Sequence, residues 1–314
     1  MSRVHSGPCA WITHSGFRLH EMGEGHPECP ERLDAISDHL LAIGVLPWLV
    51  PYDAPAATFE QLTRAHTALY VRELMAAAPT RDYVHVDPDT AMNPHSLDAA
   101  LHAAGAAVLA TDLVLSGEAH RAFCAVRPPG HHATRDAAMG FCFFNNVAVG
   151  VRHALDVHGL ERVALADFDV HHGNGSEDIL AGDDRVLMVS TFQRGLYPFL
   201  GEKPAGANMA NVPLEPRSDG TALKRAFEEV WLPRLEAFRP QMLFISAGFD
   251  AHRADEMGGL RWTEADYAWI THALLDVADR HCEGRVVSCL EGGYERYALA
   301  RSVAAHVREL CGAA

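Results

Sequence analysis

The chain has 314 residues, of which 48% are hydrophobic, and its formal net charge is -15 at pH 7. This size and apolar content allow a large buried core, and we expect one domain over residues 1–314 because no Pro-, Gly- and Ser-rich stretch separates two cores. The acidic excess argues against a nucleic-acid partner, which requires clustered Lys and Arg, and is compatible with a cationic substrate.

The start of the chain predicts the cellular compartment. Met1 to Ala10 lacks the charged start and apolar core of a signal peptide, and we found no apolar run in the sequence long enough to span a bilayer. The seven cysteines include no C-x-x-C spacing, which argues against a disulfide framework. We therefore expect a cytoplasmic protein with no membrane partner.

Short apolar runs rich in β-branched residues recur along the chain and predict buried strands of a parallel sheet. In chain order they are Ala10–Thr13, Ala122–Val126, Arg162–Ala166, Val186–Ser190, Met242–Ser246 and Val286–Leu290. Between them lie the helix-like segments Leu97–Leu115, Asp219–Phe238 and Thr263–His281. This alternation predicts an α/β domain with a mostly parallel sheet.

Four of these runs are followed at once by ionisable residues and glycines. The segments that follow are Arg127–His132, Asp167–Gly175, Ala247–His252 and Glu291–Tyr294. Because ligands of open α/β sheets bind just outside the carboxyl ends of the strands, the four segments predict one common site.

Asp169 and His171 are the first candidate metal ligands. Residues two apart in extended backbone point to the same side, so both side chains can face one point. Asp250 is the natural third ligand from another strand end. Two carboxylates and an imidazole suit a divalent ion such as Zn²⁺. The alternative is that these residues cap helices or pair with Arg.

The adjacent histidines His131 and His132 are candidates for moving protons beside a metal. Such a histidine needs a partner on its other ring nitrogen, and Asp167 and Asn174 are candidates. The alternative is that the two histidines are metal ligands themselves.

Aromatic side chains complete the predicted site. Tyr294 follows two glycines and its hydroxyl is a good neutral donor to a developing oxyanion, although a structural tyrosine is the alternative. Phe141, and either Tyr197 or Phe199, are candidates for the walls of an apolar channel. Core packing is nearly as good an explanation for these three.

Taken together, these motifs resemble the histone deacetylase family, a zinc-dependent superfamily that also includes acetoin-utilisation proteins and acetylpolyamine amidohydrolases. The segments His26–Leu33 and Asp87–Ser96 also look like the family's, and the resemblance runs from about Thr13 to about Tyr297. It implies an arginase/deacetylase-like three-layer α/β fold, with a central, mostly parallel sheet of eight strands flanked by helices.

The resemblance also implies cofactors. Asp169, His171 and Asp250 would bind Zn²⁺, with Fe²⁺ as the alternative native metal. A structural K⁺ would use Asp167, Ser190 and the backbone oxygens of Asp169 and His171.

Catalytic roles follow from the same resemblance. His132 would be the general base and acid, with Asn174 as the predicted partner of its ring. His131 would be its electrostatic partner, hydrogen-bonded to Asp167. Tyr294 would polarise the acetyl carbonyl. Residues that would contact or surround the substrate are Asp89, Gly140, Phe141, Tyr197, Met257 and Gly292.

Several details indicate the subgroup and the substrate. Asn174 and Glu291 look like class II enzymes, and Met257 stands where a polyamine-selective relative has glutamate. We therefore expect a zinc-dependent deacetylase acting on N-acetyl amides, most specifically acetyl-lysine side chains of proteins or peptides. Acetylpolyamine hydrolysis and hydrolysis of other small amides or esters are the alternatives, and a homo-oligomer is left open.

Two further alternatives are disfavoured. A non-catalytic acetyl-lysine binder should have lost a metal-ligand residue or the tyrosine. This sequence keeps the residue expected at each of these positions. A manganese hydrolase of the arginase type needs a second metal, and the strand ends offer too few carboxylates for it.

Overall fold

A computed structural model describes residues 7–313. Its centre is a sheet of eight strands in the order β2-β1-β5-β10-β9-β6-β7-β8, and every neighbouring pair is parallel. A separate antiparallel hairpin consists of β3 and β4. The strands are β1 Cys9–Thr13, β2 Leu49–Asp53, β3 Val84–Asp87, β4 Thr90–Met92, β5 Arg121–Cys124, β6 Val163–Asp167, β7 Val186–Gln193, β8 Met209–Leu214, β9 Met242–Ala247 and β10 Val286–Leu290. The predicted eight-stranded parallel sheet is confirmed.

Helices flank the sheet. They are α1 Glu31–Ala42, α2 Phe59–Thr63, α3 Ala68–Ala77, α4 Ser96–Ser116, α5 Asn146–Asp156, α6 Asn174–Leu180, α7 Gly220–Ala226, α8 Leu232–Phe238, α9 Glu264–His281 and α10 Arg296–Cys311. Helices α4 and α5 pack against each other, and α10 packs against both α1 and α9. The signal-peptide prediction concerns Met1 to Ala10, of which residues 1–6 lie outside the described part.

Sequence analysis did not predict the two edge strands of the sheet, β2 and β8. In β2 only Leu49 is buried and Pro51 interrupts the run, while β8 contains Pro213. Proline is tolerated at a sheet edge because one side of an edge strand needs no ladder hydrogen bonds. The uninterrupted apolar run of a buried strand is therefore missing from both.

The helical segment predicted over Asp219–Phe238 is present, but it is not α-helical throughout. Residues Phe227–Trp231 form a π-helical turn between α7 and α8. Pro233 follows that turn, and a proline inside a helix removes one backbone donor and crowds the preceding turn. The wider turn relieves this conflict.

Helix α4 corrects the statement that no apolar run is long enough to span a bilayer. Its 21 residues are long and apolar enough by composition, with a mean hydropathy of 1.5 over an 18-residue window. However, 67% of that window is buried inside the protein, where α4 packs on α5, β1, β5 and β10. Its apolar character is that of a core helix.

His306 on α10 is a fully buried histidine in the core. Its Nδ1 lies 2.6 Å from Thr271 Oγ1 and its Nε2 lies 2.8 Å from Ser288 Oγ. Burial lowers the pKa of His306 from 6.5 to about 3. The ring is therefore neutral in the folded protein over the whole neutral range.

Acidification from about pH 7.5 to about pH 5 is expected to lower the free energy of unfolding by about 2 kcal/mol through His306. Between pH 6.5 and about pH 3 the unfolded state binds a proton that the folded state does not, so stability falls as the pH falls. Urea unfolding at both pH values measures the loss. The control His306→Gln cannot titrate and should lose about 2 kcal/mol less. Equal losses in the two proteins would contradict the assignment.

Candidate active site

The candidate site lies at the carboxyl edge of the sheet. Strands β6, β9 and β10 are neighbours there, and the segments that follow them carry the acidic and aromatic side chains. Asp167, the last residue of β6, is paired in register with Ser246 on β9 and with Ser190 on β7. Parallel pairing thus brings segments that are distant in sequence to one place.

Asp169, His171 and Asp250 form a buried cluster. His171 Nδ1 lies 3.0 Å from Asp169 Oδ1 and 3.2 Å from Asp250 Oδ2, and one ligand atom from each residue lies within 4.8 Å of the others. Backbone amides fix the carboxylates, because Val170 N–H donates to Asp250 Oδ1 and Gly292 N–H donates to Asp169 Oδ2. The three predicted zinc ligands are therefore together and preorganised.

The electrostatics of this cluster fit a divalent cation. Asp250 Oδ2 is buried and has no well-formed hydrogen bond. Burial lowers the pKa of His171, but Asp169 and Asp250 outweigh burial and raise that pKa to about 10. A proton on His171 therefore takes the place that a cation would fill. Two carboxylates and one imidazole are a donor set that Zn²⁺ or Fe²⁺ accepts, and they leave coordination positions open.

Gly292 lies directly against the ligand carboxylates. A Cβ atom at this position would come within 2.0 Å of Asp250 Oδ2 and 2.6 Å of Asp169 Oδ2. Only glycine therefore fits here. The backbone amide of this predicted substrate-binding residue donates to Asp169.

The two histidines make the partner contacts that the sequence suggested. His131 Nδ1 lies 3.0 Å from Asp167 Oδ2, and His132 Nδ1 lies 2.8 Å from Asn174 Oδ1. Because an amide oxygen only accepts, His132 carries its hydrogen on Nδ1 and its Nε2 is free to take a proton. Both rings are almost fully buried.

The two histidines differ in charge. Burial, followed by the charges of His131 and His171, holds the pKa of His132 well below its ordinary value. Burial also lowers the pKa of His131, but Asp169 and Asp167 reverse this and raise it to about 10. These shifts favour a neutral His132 as proton acceptor beside a protonated His131.

Ser190 marks the predicted potassium site. Its Oγ is buried and has no hydrogen-bond partner among the described residues, and its strand neighbour is Asp167. Asp167 Oδ1 accepts the Asp169 N–H. An unsatisfied oxygen beside a carboxylate suits a hard cation that binds oxygen ligands.

Aromatic rings border the site. The Tyr197 ring centroid lies 5.1 Å from that of His132 and 6.3 Å from that of His171, and the Tyr197 hydroxyl is buried without a hydrogen bond. Phe141 packs edge-on against Tyr294 at 5.9 Å. Phe199, the alternative channel wall, is 76% exposed. The structure therefore places Tyr197 beside the histidines and Phe199 at the surface.

Gly140 and Asp89 form the neighbouring rim. A Cβ at Gly140 would lie 2.5 Å from the His132 ring, so this position also requires glycine. Asp89 Oδ1 accepts the N–H of Gly140 at 3.2 Å and the hydroxyl of Thr90 at 2.8 Å. Met257 lines a cavity of about 290 Å³ together with Tyr294.

Sequence analysis assigned no role to a buried ionic group that supports Tyr294. Arg32 Nε donates to Gly293 O at 2.7 Å, Arg32 Nη2 donates to Glu291 O at 2.5 Å, and the guanidinium carbon lies 4.9 Å from the centre of the Tyr294 ring. Glu28 accepts hydrogen bonds from both Arg32 and Arg127. The only sequence signal for this group was the His26–Leu33 motif, in which charged residues resemble surface residues.

The Tyr294 side chain is uncharged. Burial raises its pKa well above the ordinary value, Arg32 opposes this, and the charges of Asp250 and Asp169 add to the rise. Its backbone N–H donates to Asp255 Oδ2 at 2.6 Å. The ring also lines a cavity of about 590 Å³ beside residues 21–31.

Among the described residues, two other groups of His and Asp lie close enough to hold a metal. They are His14, Asp98 and His102, and Asp112, His153 and His158. Both groups are partly exposed. In the second group, Arg64 Nη1 donates to His153 Nδ1 at 3.2 Å, so His153 Nε2 carries the hydrogen that Asp112 accepts. The cluster of Asp169, His171 and Asp250 is the fully buried one.

Comparisons with known proteins agree with this geometry. Residues 26–310 match the histone deacetylase domain family. The chain is 38% identical over 295 residues to a histone deacetylase-like amidohydrolase of Pseudomonas aeruginosa, covering 92% of this chain and 77% of that protein. It is 37% identical to the mouse polyamine deacetylase HDAC10, covering 91% of this chain and 45% of that protein. The crystal structure of the HDA15 HD domain superposes with a TM-score of 0.91 at 34% identity, over 97% of this chain and 90% of that one.

Proposed function

The chain belongs to the histone deacetylase family of deacetylases and amidohydrolases, and from this we propose that it is a zinc-dependent enzyme that hydrolyses N-acetyl amides. Its preferred substrates in this proposal are acetyl-lysine side chains of proteins or peptides. The observation that carries the proposal is the buried cluster of Asp169, His171 and Asp250 beside the neutral His132.

Each group in the site has a task in this reaction. Asp169, His171 and Asp250 would hold zinc, which would supply Lewis-acid polarisation of the acetyl carbonyl and a lower pKa for a water molecule. His132 Nε2 takes the proton of the attacking water and returns it to the leaving amine. His131 holds a positive charge near the developing negative charge, and the Tyr294 hydroxyl donates to the oxyanion.

A structural K⁺ at Asp167 and Ser190 is part of the proposal, supported by the unpartnered Ser190 hydroxyl. The cation would hold the segment that carries Asp169 and His171 in place. A cytoplasmic location, a single domain and a possible oligomer remain predictions from sequence.

Acetylpolyamine hydrolysis is the second candidate function, and a specific observation favours it. Glu21, Glu24 and Glu31 line the 590 Å³ cavity next to Tyr294 and outnumber the cationic Arg296 in its lining, so this cavity is acidic. The net charge of -15 also favours a cationic substrate. Met257 favours the acetyl-lysine candidate, because this apolar side chain itself offers no charge partner to a polyamine, although Glu256 and Glu295 line the same cavity beside Tyr294.

Acetate release by the zinc-loaded protein tests the two candidates against each other. We expect faster turnover of an acetyl-lysine peptide than of an N-acetylated polyamine. Met257→Glu should shift the preference towards the polyamine, and Met257→Gln, which has no charge, should not. Faster turnover of the polyamine by the unaltered protein would establish the second candidate. Absence of acetate from both substrates would refute both candidates and leave hydrolysis of other small amides or esters as the alternative.

A further inference from the structure

Glu291 is a fully buried carboxyl group that the proposed reaction does not use. It is the first residue after β10. Its Oε2 accepts the backbone N–H groups of Gly130 at 2.7 Å and His131 at 3.1 Å. Its Oε1 accepts the hydroxyl of Ser246 at 3.1 Å. The side chain thus contacts the loop that carries both catalytic histidines and the end of β9.

The backbone of Glu291 is fixed as firmly as its side chain. Its N–H donates to Ala247 O at 2.9 Å, and its carbonyl accepts Arg32 Nη2. Arg32 also binds the carbonyl of Gly293, the residue before Tyr294. Residue 291 therefore joins the histidine loop to the tyrosine loop.

Burying a carboxyl group costs free energy unless its oxygens are hydrogen-bonded. Burial raises the pKa of Glu291 to about 7, against the opposing effects of His131 and the Gly130 amide. Two of its three hydrogen-bond donors are backbone amides of the histidine loop. Loss of the acceptor would leave these two amides buried and unsatisfied, and the loop would shift to find other partners.

We propose that Glu291 is a positioning residue that fixes the histidine loop by accepting the amides of Gly130 and His131. It thereby keeps His131 against Asp167 and His132 against Asn174. Its effect on turnover rests on the proposed deacetylase function, whereas its effect on the position of the loop does not.

Two neutral variants of similar size isolate the hydrogen bonds. In Glu291→Gln the amide oxygen can still accept both N–H groups while its nitrogen donates to Ser246. Glu291→Met fills the same space without an acceptor. We expect Glu291→Gln to keep kcat within about 3-fold and Glu291→Met to lose about 10–10²-fold in kcat with KM nearly unchanged, since displacement of a catalytic group by about 1 Å costs up to about 10²-fold.

A third variant covers the case in which Glu291→Met does not fold. Glu291→Asp keeps the carboxyl group but is one methylene too short to reach both amides, and it should lose kcat as Glu291→Met does. An unchanged kcat in Glu291→Met or Glu291→Asp would overturn the proposal. A loss of kcat in Glu291→Gln as large as in Glu291→Met would also overturn the proposal, because loss of the contacts to the backbone amides would then not be the cause.

Crystal structures provide a readout that does not depend on activity. The Met or Asp variant should show the backbone of residues 130–132 displaced and the contact between His132 and Asn174 longer than 2.8 Å, and the Gln variant should not. An undisplaced backbone at residues 130–132 in Glu291→Met or Glu291→Asp would overturn the proposal. If the unaltered protein releases no acetate, the proposed function fails while these structures still decide the role of Glu291.

Discussion

Asp250→Ala is expected to remove stoichiometric zinc and to lower kcat by at least about 10³-fold. The variant loses one of two ligand carboxylates. In the unaltered protein, Asp250 Oδ2 is the buried ligand oxygen that lacks a well-formed hydrogen bond. Loss of the Asp250 carboxylate also lowers the negative charge that favours a cation at this cluster. A metal that polarises a carbonyl contributes several kcal/mol to the transition state, which sets the size of the loss in rate. Elemental analysis after gel filtration measures zinc per chain, and acetate release measures kcat.

Asp112→Ala is the matched control for Asp250→Ala. Asp112 belongs to a partly exposed candidate metal group of one Asp and two His, whereas the buried cluster of Asp250 has two Asp and one His. Its removal should leave zinc content and kcat unchanged. Full zinc content in Asp250→Ala would refute the ligand assignment, and loss of zinc in Asp112→Ala would locate the metal at the surface group.

Tyr294→Phe is expected to lower kcat by about 10²–10³-fold, with little change in KM. The hydroxyl is a neutral donor, and its contribution appears only when negative charge develops on the acetyl oxygen. The ring itself should stay in place, because Arg32 and Phe141 contact its faces and edges and not the hydroxyl. Steady-state kinetics on the preferred substrate measures the effect.

Tyr297→Phe provides a control with the same change three residues later. Its side chain is 76% exposed on α10, and its kcat should match that of the unaltered protein. Zinc content should be unchanged in both variants. If Tyr294→Phe keeps most of its activity, the hydroxyl is not the oxyanion donor.

The sequence predicted the buried parts of the fold better than its edges. Strand β10 has the predicted bounds, Val286–Leu290, because a run buried on both faces is continuously apolar. Strands β2 and β8 lie at the edges and contain prolines, so their composition resembles that of loops. The π-helical turn before Pro233 was also missed, since the apolar spacing continues through it.

The centre of the site could be anticipated because its residues follow strand ends. Asp169, His171 and Asp250 come together for that reason, and so do the histidines and their partners. Arg32 and Glu291 could not be anticipated, because a charged residue in a sequence gives no sign that it is buried. Tyr197 and Phe199 are two residues apart and equally aromatic. Their different positions depend on a loop in which Phe199 has a φ of +62°.

The position of β10 between β5 and β9 has a consequence for how the protein is made. Among the described residues, the last strand in chain order lies in the middle of the sheet, and Arg32 meets Gly293 across 261 positions of the chain. A nascent chain that ends before residue 286 has two half-sheets with unpaired inner edges, which are prone to associate with other chains. The sheet is therefore expected to close only after β10 has been synthesised, with the slow kinetics of a fold dominated by contacts distant in sequence.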